Sequence, residues 1–240
     1  MNNEIEIVGL VRQARLGDSK SMDRLAEAVG IRLRGYIYRS TLNRELTEDL
    51  CQEALLEMMS SIGSLEKADS FWPWIFRIAS SKIVQHYRHI KREAAIRFGT
   101  LEDSLLESIL TDGSEGSSVA AIRGELGQMI VESVSKLNGH QRSVVALRCY
   151  EGMSFAEIAD SVGCREVDAR VSFFRAKQFL KKQLSNRGFS RSSLLMALLL
   201  FGKMTAPSQA AAAGVTLSKV VLSGVGAVAV LRYHRGKILA

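Results

Sequence analysis

The stretch Ser154-Phe155-Ala156-Glu157-Ile158-Ala159-Asp160-Ser161-Val162-Gly163-Cys164-Arg165-Glu166 decides how this chain is read. Ser154 and Glu157 have the S-x-x-E spacing of a capping box, in which hydroxyl and carboxylate each satisfy a backbone N–H at a helix start. Phe155, Ile158, Ala159 and Val162 supply the buried face of a short helix. Gly163 suits the positive φ of a tight turn. A second helix then begins, and Arg165 to Arg191 holds eight bases against two acids. This is the layout of a helix-turn-helix, whose second helix enters the major groove with its N-terminal residues foremost. Arg165 and Arg170 suit bidentate contact with guanine, with Glu166, Asp168, Arg175 and Lys177 completing the surface. A helical hairpin with a merely solvated basic face has the same local pattern, so the rest of the chain has to decide.

That chain has 240 residues, 47% hydrophobic and 24% charged, with two prolines, Pro73 and Pro207. Few helix breakers and recurrent helical periodicity point to an all-α protein. A net charge of +7 suggests an anionic partner, either nucleic acid or an anionic membrane surface. Cys51, Cys149 and Cys164 form no C-x-x-C pair, which suits reduced thiols in a cytoplasmic chain. His86 and His89 have no further ligands near them in sequence, so no metal and no cofactor are expected. Nucleophile elbows, Walker loops and dinucleotide fingerprints are absent, which leaves an enzyme without support.

Upstream, apolar periodicity predicts a helix from Ile5 to Val29 interrupted at Gly17-Asp18-Ser19, a second over Ile31 to Leu42, and a third opening at Thr47 and running through Ser60. Glu45 to Glu57 contains five acids and no base; such a face repels phosphate and belongs against solvent or a protein. After a polar loop, Ser60 to Ser70, a long helix spans Phe71 to Arg97. Its start, Phe71-Trp72-Pro73-Trp74-Ile75-Phe76, precedes Arg77, Lys82, Arg88, Lys91, Arg92 and Arg97. Aromatic rings beside a basic track suit single-stranded nucleic acid. Phe71 and Trp74 are expected in the core, with Trp72 and Phe76 open to either role.

Between Phe98 and Leu137 seven acids face two bases, and Thr111 to Ser118 reads as a flexible linker. The expected organisation is two small helical domains, residues 5–97 and 120–187, joined by an acidic linker over 98–119. A helical tail follows over 188–240. Its apolar run Ser193 to Phe201 is too short to span a bilayer, and Val220 to Leu231, although flanked by the basic Arg232 to Lys237, is also short.

Taken together, the chain resembles the extracytoplasmic-function, group IV, sigma factors of bacteria. The resemblance rests on Ala14-x-x-Gly17-Asp18, on Thr47-Glu48-Asp49-Leu50-Cys51-Gln52-Glu53-Ala54, and on Phe71-x-x-Trp74-Ile75-x-x-Ile78-Ala79. It extends to Leu137 to Leu184, which is similar to sigma region 4 and includes Ser154 to Ala159 and Phe174-Arg175-Ala176-Lys177. It implies a region 2 bundle and a region 4 helix-turn-helix that direct RNA polymerase core to promoters and assist DNA opening. It implies that Asp49, Gln52 and Glu53 bind the β′ clamp. The loop around Ser64 and Leu65, with Trp72, Lys82, Arg88 and Arg92, would take the −10 element, where flipping a base costs a few kcal/mol of unstacking. The recognition helix would take the −35 element. Implied partners are polymerase core and promoter DNA, double-stranded and as the non-template single strand, with room for an anti-sigma factor.

Two departures stand out. Ser81 and Gln85 occupy positions where the family usually has Asn and Asp, and the recognition helix opens Cys164-Arg165-Glu166-Val167-Asp168 without a serine cap. Two other functions fit parts of the chain: a polymerase-independent helix-turn-helix regulator, and a membrane-associated interaction protein led by the tail.

Overall fold

The computed structural model describes residues 2–98, 125–186 and 193–206, and among these every regular element is helical. The first bundle comprises α1 (Asn2–Arg15), α2 (Ser19–Thr41), α3 (Arg44–Ser61) and α4 (Phe71–Phe98). The second comprises α5 (Glu125–Ser135), α6 (Gly139–Cys149), α7 (Phe155–Val162) and α8 (Glu166–Asn186). A further helix, α9 (Ser193–Met204), comes from the tail. The linker expected over 98–119 lies, apart from its first residue, outside the described residues, as do all positions beyond 206.

Local chemistry sets the boundaries. Gly17 takes φ +91°, and the Asp18 carboxylate accepts the Ser21 N–H at 2.9 Å to cap α2. From there α2 is continuous through Gly30, so the break expected after Val29 is absent. A helical glycine costs about 1 kcal/mol, and here packing outweighs it: Leu25, Val29, Leu33, Tyr36 and Ile37 are all buried along one helix. Likewise α3 starts at Arg44 rather than Thr47. Asn43 is the cap, accepting the Leu46 N–H at 3.0 Å, while Thr47 turns inward and its hydroxyl donates to the Asn43 carbonyl at 2.6 Å.

In the first core, Phe71 and Phe76 are fully buried and the Phe76 ring meets Tyr36 edge-on at 5.2 Å. Trp74, expected in the core, is only half-buried. Phe76 takes the interior place because it faces α2, a contact that no local spacing encodes. The polar loop contains two short 3-10 turns, Ile62–Ser64 and Ala68–Ser70. Ile62, Leu65 and Ala68 anchor it by burying their side chains.

In the second bundle both halves of the predicted capping box form. Ser154 Oγ accepts the Glu157 N–H at 3.2 Å and Glu157 Oε2 accepts the Ser154 N–H at 2.7 Å. Gly163 ends α7 at φ +71°. Ser154→Ala is therefore expected to cost about 1 kcal/mol, seen as a fall in the midpoint of thermal unfolding by several degrees. An unchanged midpoint would show that the cap contributes nothing.

The two bundles pack on each other, α2 against α6 and α4 against α7. The larger apolar cluster runs from Leu25, Phe71 and Ile75 into Val144, Leu147, Ile158 and Ala169. Leu42, at the end of α2, is held at φ +57° and inserts its side chain into the second bundle's core beside Ile130 and Val134. A left-handed backbone at a branched residue is uncommon.

Candidate promoter and polymerase interfaces

Three charged surfaces stand on this frame. The first is the outer face of α3. Asp49, Gln52 and Glu53 are exposed, together with Glu45, Glu48 and Glu57. Leu56 and Met59 extend the face as exposed apolar side chains, 67% and 43% accessible, which sequence reading missed. Their signal was present: neither falls on the buried register of Leu50, Ala54 and Met58.

The second surface is the solvent stripe of α4. Arg77, Ser81, Gln85, Arg88 and Arg92 recur at helical spacing and all are exposed, giving three cations and no acid. The two positions that depart from the family pattern bond to each other, Gln85 Nε2 donating to Ser81 Oγ at 3.2 Å. Lys82 lies off this stripe. Its ammonium sits 2.9 Å from Glu57 and 3.7 Å from Glu53, and the Glu57 hydrogen bond raises its pKa. Lys82 therefore ties α4 to α3.

Ser64 is exposed, its hydroxyl donating to the Ser61 carbonyl at 2.7 Å. Leu65, expected beside it on DNA, is a core side chain; the loop needs that anchor to keep its turns. Trp72 is half-buried, and the Arg32 guanidinium covers its ring at 3.7 Å from the centroid.

The third surface is the first half of α8. Arg165, Glu166, Arg170 and Arg175 are exposed, and Asp168 is half-buried. Arg165, Glu166, Asp168 and Arg170 form two ion pairs along the helix. Arg165 donates to Asp168 at 2.7 and 3.1 Å, and Arg170 to Glu166 at 2.6 Å. The Arg165 hydrogen bond holds the Asp168 carboxyl below its ordinary pKa. Arg170 also lies over the Phe155 ring at 4.9 Å, which fixes its stem against α7. Lys177 is half-buried and lines a cavity under α9. Val167, Val171 and Phe174 form an exposed apolar stripe at i, i+4 and i+7, unremarked in the sequence. Such a stripe on a basic helix suits thymine methyl groups.

An acidic face beside a basic stripe on one bundle, and an exposed helix-turn-helix on the other, suit contacts with both a protein and DNA. Residues 25–93 match sigma-70 region 2, and residues 127–180 match sigma-70 region 4. The RNA polymerase sigma-H factor of Pseudomonas aeruginosa is 26% identical over 178 residues, 73% of this chain and 92% of the relative. SigW, an extracytoplasmic-function sigma factor of Bacillus subtilis, is 24% identical over 184 residues, covering 75% and 98%. Among solved structures, the fold is similar to the sigma factor RpoE of Bartonella quintana in complex with the anti-sigma factor NepR. That likeness has a TM-score of 0.57 at 20% identity, over 69% of this chain and 98% of that one. CnrH in complex with the cytosolic domain of CnrY gives 0.51 at 18% identity, over 75% and 98%.

The chain belongs to the extracytoplasmic-function sigma factors of the sigma-70 family. Its function is to direct RNA polymerase core to promoters at transcription initiation. Among the described residues, no helix is long and apolar enough to cross a membrane.

Proposed function

We propose that Asp49, Gln52 and Glu53, with Leu56 and Met59, dock the polymerase β′ clamp. In the same reading α4 and its preceding loop take the −10 element, and α8 takes the −35 element. The observation that carries this is the segregation of charge on adjacent helices: α3 is acidic outward, while the solvent stripe of α4 carries only cations. An acidic face repels phosphate and needs a protein, whereas a cationic stripe attracts DNA. Ser64, Trp72, Arg88 and Arg92 remain the candidates for the melted −10 strand, joined by Arg77. Trp72 becomes free to stack on a base once Arg32 withdraws. Leu65 serves this site by anchoring the loop, and Lys82 would have to leave Glu57 and Glu53 to reach a phosphate. The chain supplies binding and strand opening and no catalytic group, and it acts in the cytoplasm.

An anti-sigma partner belongs to the same reading, since both solved relatives are held in complexes of that kind or with a cytosolic partner domain. Promoter-specific run-off transcription with purified core enzyme tests the whole. No transcript, with duplex binding retained, would leave a regulator that works without polymerase.

Arg170→Ala tests the recognition helix alone. Loss of a bidentate base contact costs about 1–3 kcal/mol, hence roughly tenfold or more in −35 discrimination. The variant also leaves Glu166 uncompensated against phosphate. Competition binding with single-base variants of the −35 element measures this, and an unchanged preference would remove Arg170 from the reading set.

A further inference from the structure

Helix α9 lies beyond residue 180, where the region 4 match ends. It is not an appendage in solvent. Leu194, Leu195, Leu198 and Phe201 are buried against Ile130, Val134, Leu180 and Leu184 of the second bundle. The Leu198 carbonyl accepts the Tyr150 hydroxyl at 2.8 Å. Just after the helix, Thr205 Oγ1 accepts from Arg39 Nε of the first bundle at 2.9 Å. One short segment therefore holds both bundles.

It does so at the joint between them. Arg39 lies over the Tyr150 ring at 4.4 Å and within 3.8 Å of Glu151, which Arg32 also pairs at 2.8 Å. Arg142 of α6 donates to the Ser40 carbonyl of α2 at 2.8 Å, and Ser161 of α7 to the Pro73 carbonyl of α4 at 3.3 Å. Closure has two consequences for DNA. Arg32, held by Glu151, covers Trp72. And α8 packs on α7, which packs on α4, so the recognition helix stands within about two helix-packing distances, roughly 20 Å, of the −10 helix. Elements centred near −10 and −35 are about 25 base pairs apart, about 85 Å at 3.4 Å per step. The closed chain cannot span them.

We propose that α9 is an intramolecular clasp that keeps the two DNA-binding bundles shut, and that polymerase core must release it before both promoter elements can be occupied. The inference rests on the region assignments proposed above. The seat is also releasable. A cavity of about 150 Å³ remains between α6, α8 and α9, lined by Val145, Cys149, Phe173, Lys177, Leu194 and Leu198. A gap of that size forgoes part of the packing attraction that close contact gives.

Cys149 provides a native reporter. It is fully buried beneath α9, and burial pushes its thiol up to about 12. The test compares the full chain with Leu198→Glu/Phe201→Glu, with the milder Thr205→Val, and with Lys203→Glu on the exposed side of α9 as control. Modification of Cys149 by a maleimide, localised by mass spectrometry, should accelerate at least tenfold in the double variant and less in Thr205→Val. The control should be unchanged. The radius of gyration in solution should rise, and affinity for core should rise about tenfold. Thr205→Val guards against a double variant that merely unfolds. Unchanged Cys149 protection, or unchanged core affinity with the bundles opened, overturns the clasp. Faster labelling and expansion with no core binding by any of the proteins supports the clasp and counts against the polymerase assignment.

Discussion

Asp49→Lys/Glu53→Lys is expected to weaken association with polymerase core by a factor of about 100 or more. Removing one partner of an interfacial charge pair costs about 2–5 kcal/mol, and each 1.4 kcal/mol is tenfold. Reversal adds repulsion to the loss. The substitutions should leave the fold intact, because both residues are exposed and neither belongs to the core. Lys82 loses its 3.7 Å contact with Glu53 but keeps Glu57 at 2.9 Å. Duplex binding by α8 lies on another element and should not change. Pull-down with core, alongside circular dichroism and −35 duplex binding, measures all three. Holoenzyme assembly at wild-type concentrations would refute the docking face.

Glu151→Gln is expected to open the molecule rather than unfold it. The Glu151 side chain is 6% exposed and serves Arg32 and Arg39, the side chain of the latter being 7% exposed. Burial pulls the Arg39 pKa down from its ordinary value, and Glu151 is the main group opposing that pull. Stranding a buried cation costs about 3–5 kcal/mol. Here the chain has an escape that a single core lacks, since parting the bundles hydrates Arg39. The penalty is therefore limited by the free energy of closure. Small-angle scattering should show expansion while helix content stays constant. A compact chain with an unchanged melting midpoint would mean that Glu151 contributes little.

What was legible in the sequence is what is local. Ser154, Glu157 and Gly163 state the start and end of α7 within ten residues, and the structure forms each bond they imply. The acidic α3 and the basic α4 could be read from composition because their charged positions fall outside the apolar register. Contacts made across the chain were not readable. Phe76 is fully buried because Tyr36 meets it, whereas Trp74, which shares a face with Ile78, packs against the core only half-buried. Leu65 looked like part of a polar loop because its partners lie in other elements. The pairing of Lys82 with two glutamates on α3 was hidden as well, because nothing near it in sequence reveals them. Glu151 and Arg39, which hold the bundles together, are 112 positions apart in the chain. No periodicity connects them.

The paired charges on α8 bear on how a promoter is found. Arg165 with Asp168 and Arg170 with Glu166 make the leading turns of the helix electrically neutral. Nonspecific attraction to DNA grows with the number of phosphates neutralised, so these turns add little hold on an arbitrary site. In the reading proposed above, a guanine edge would replace the carboxylate at a matching site, Arg165 exchanging the two hydrogen bonds it gives Asp168 and Arg170 the one it gives Glu166. At a mismatch neither arginine has anything to gain by leaving. Two acids on a recognition helix thus shorten each visit to the wrong sequence, and a genome offers mostly wrong sequences.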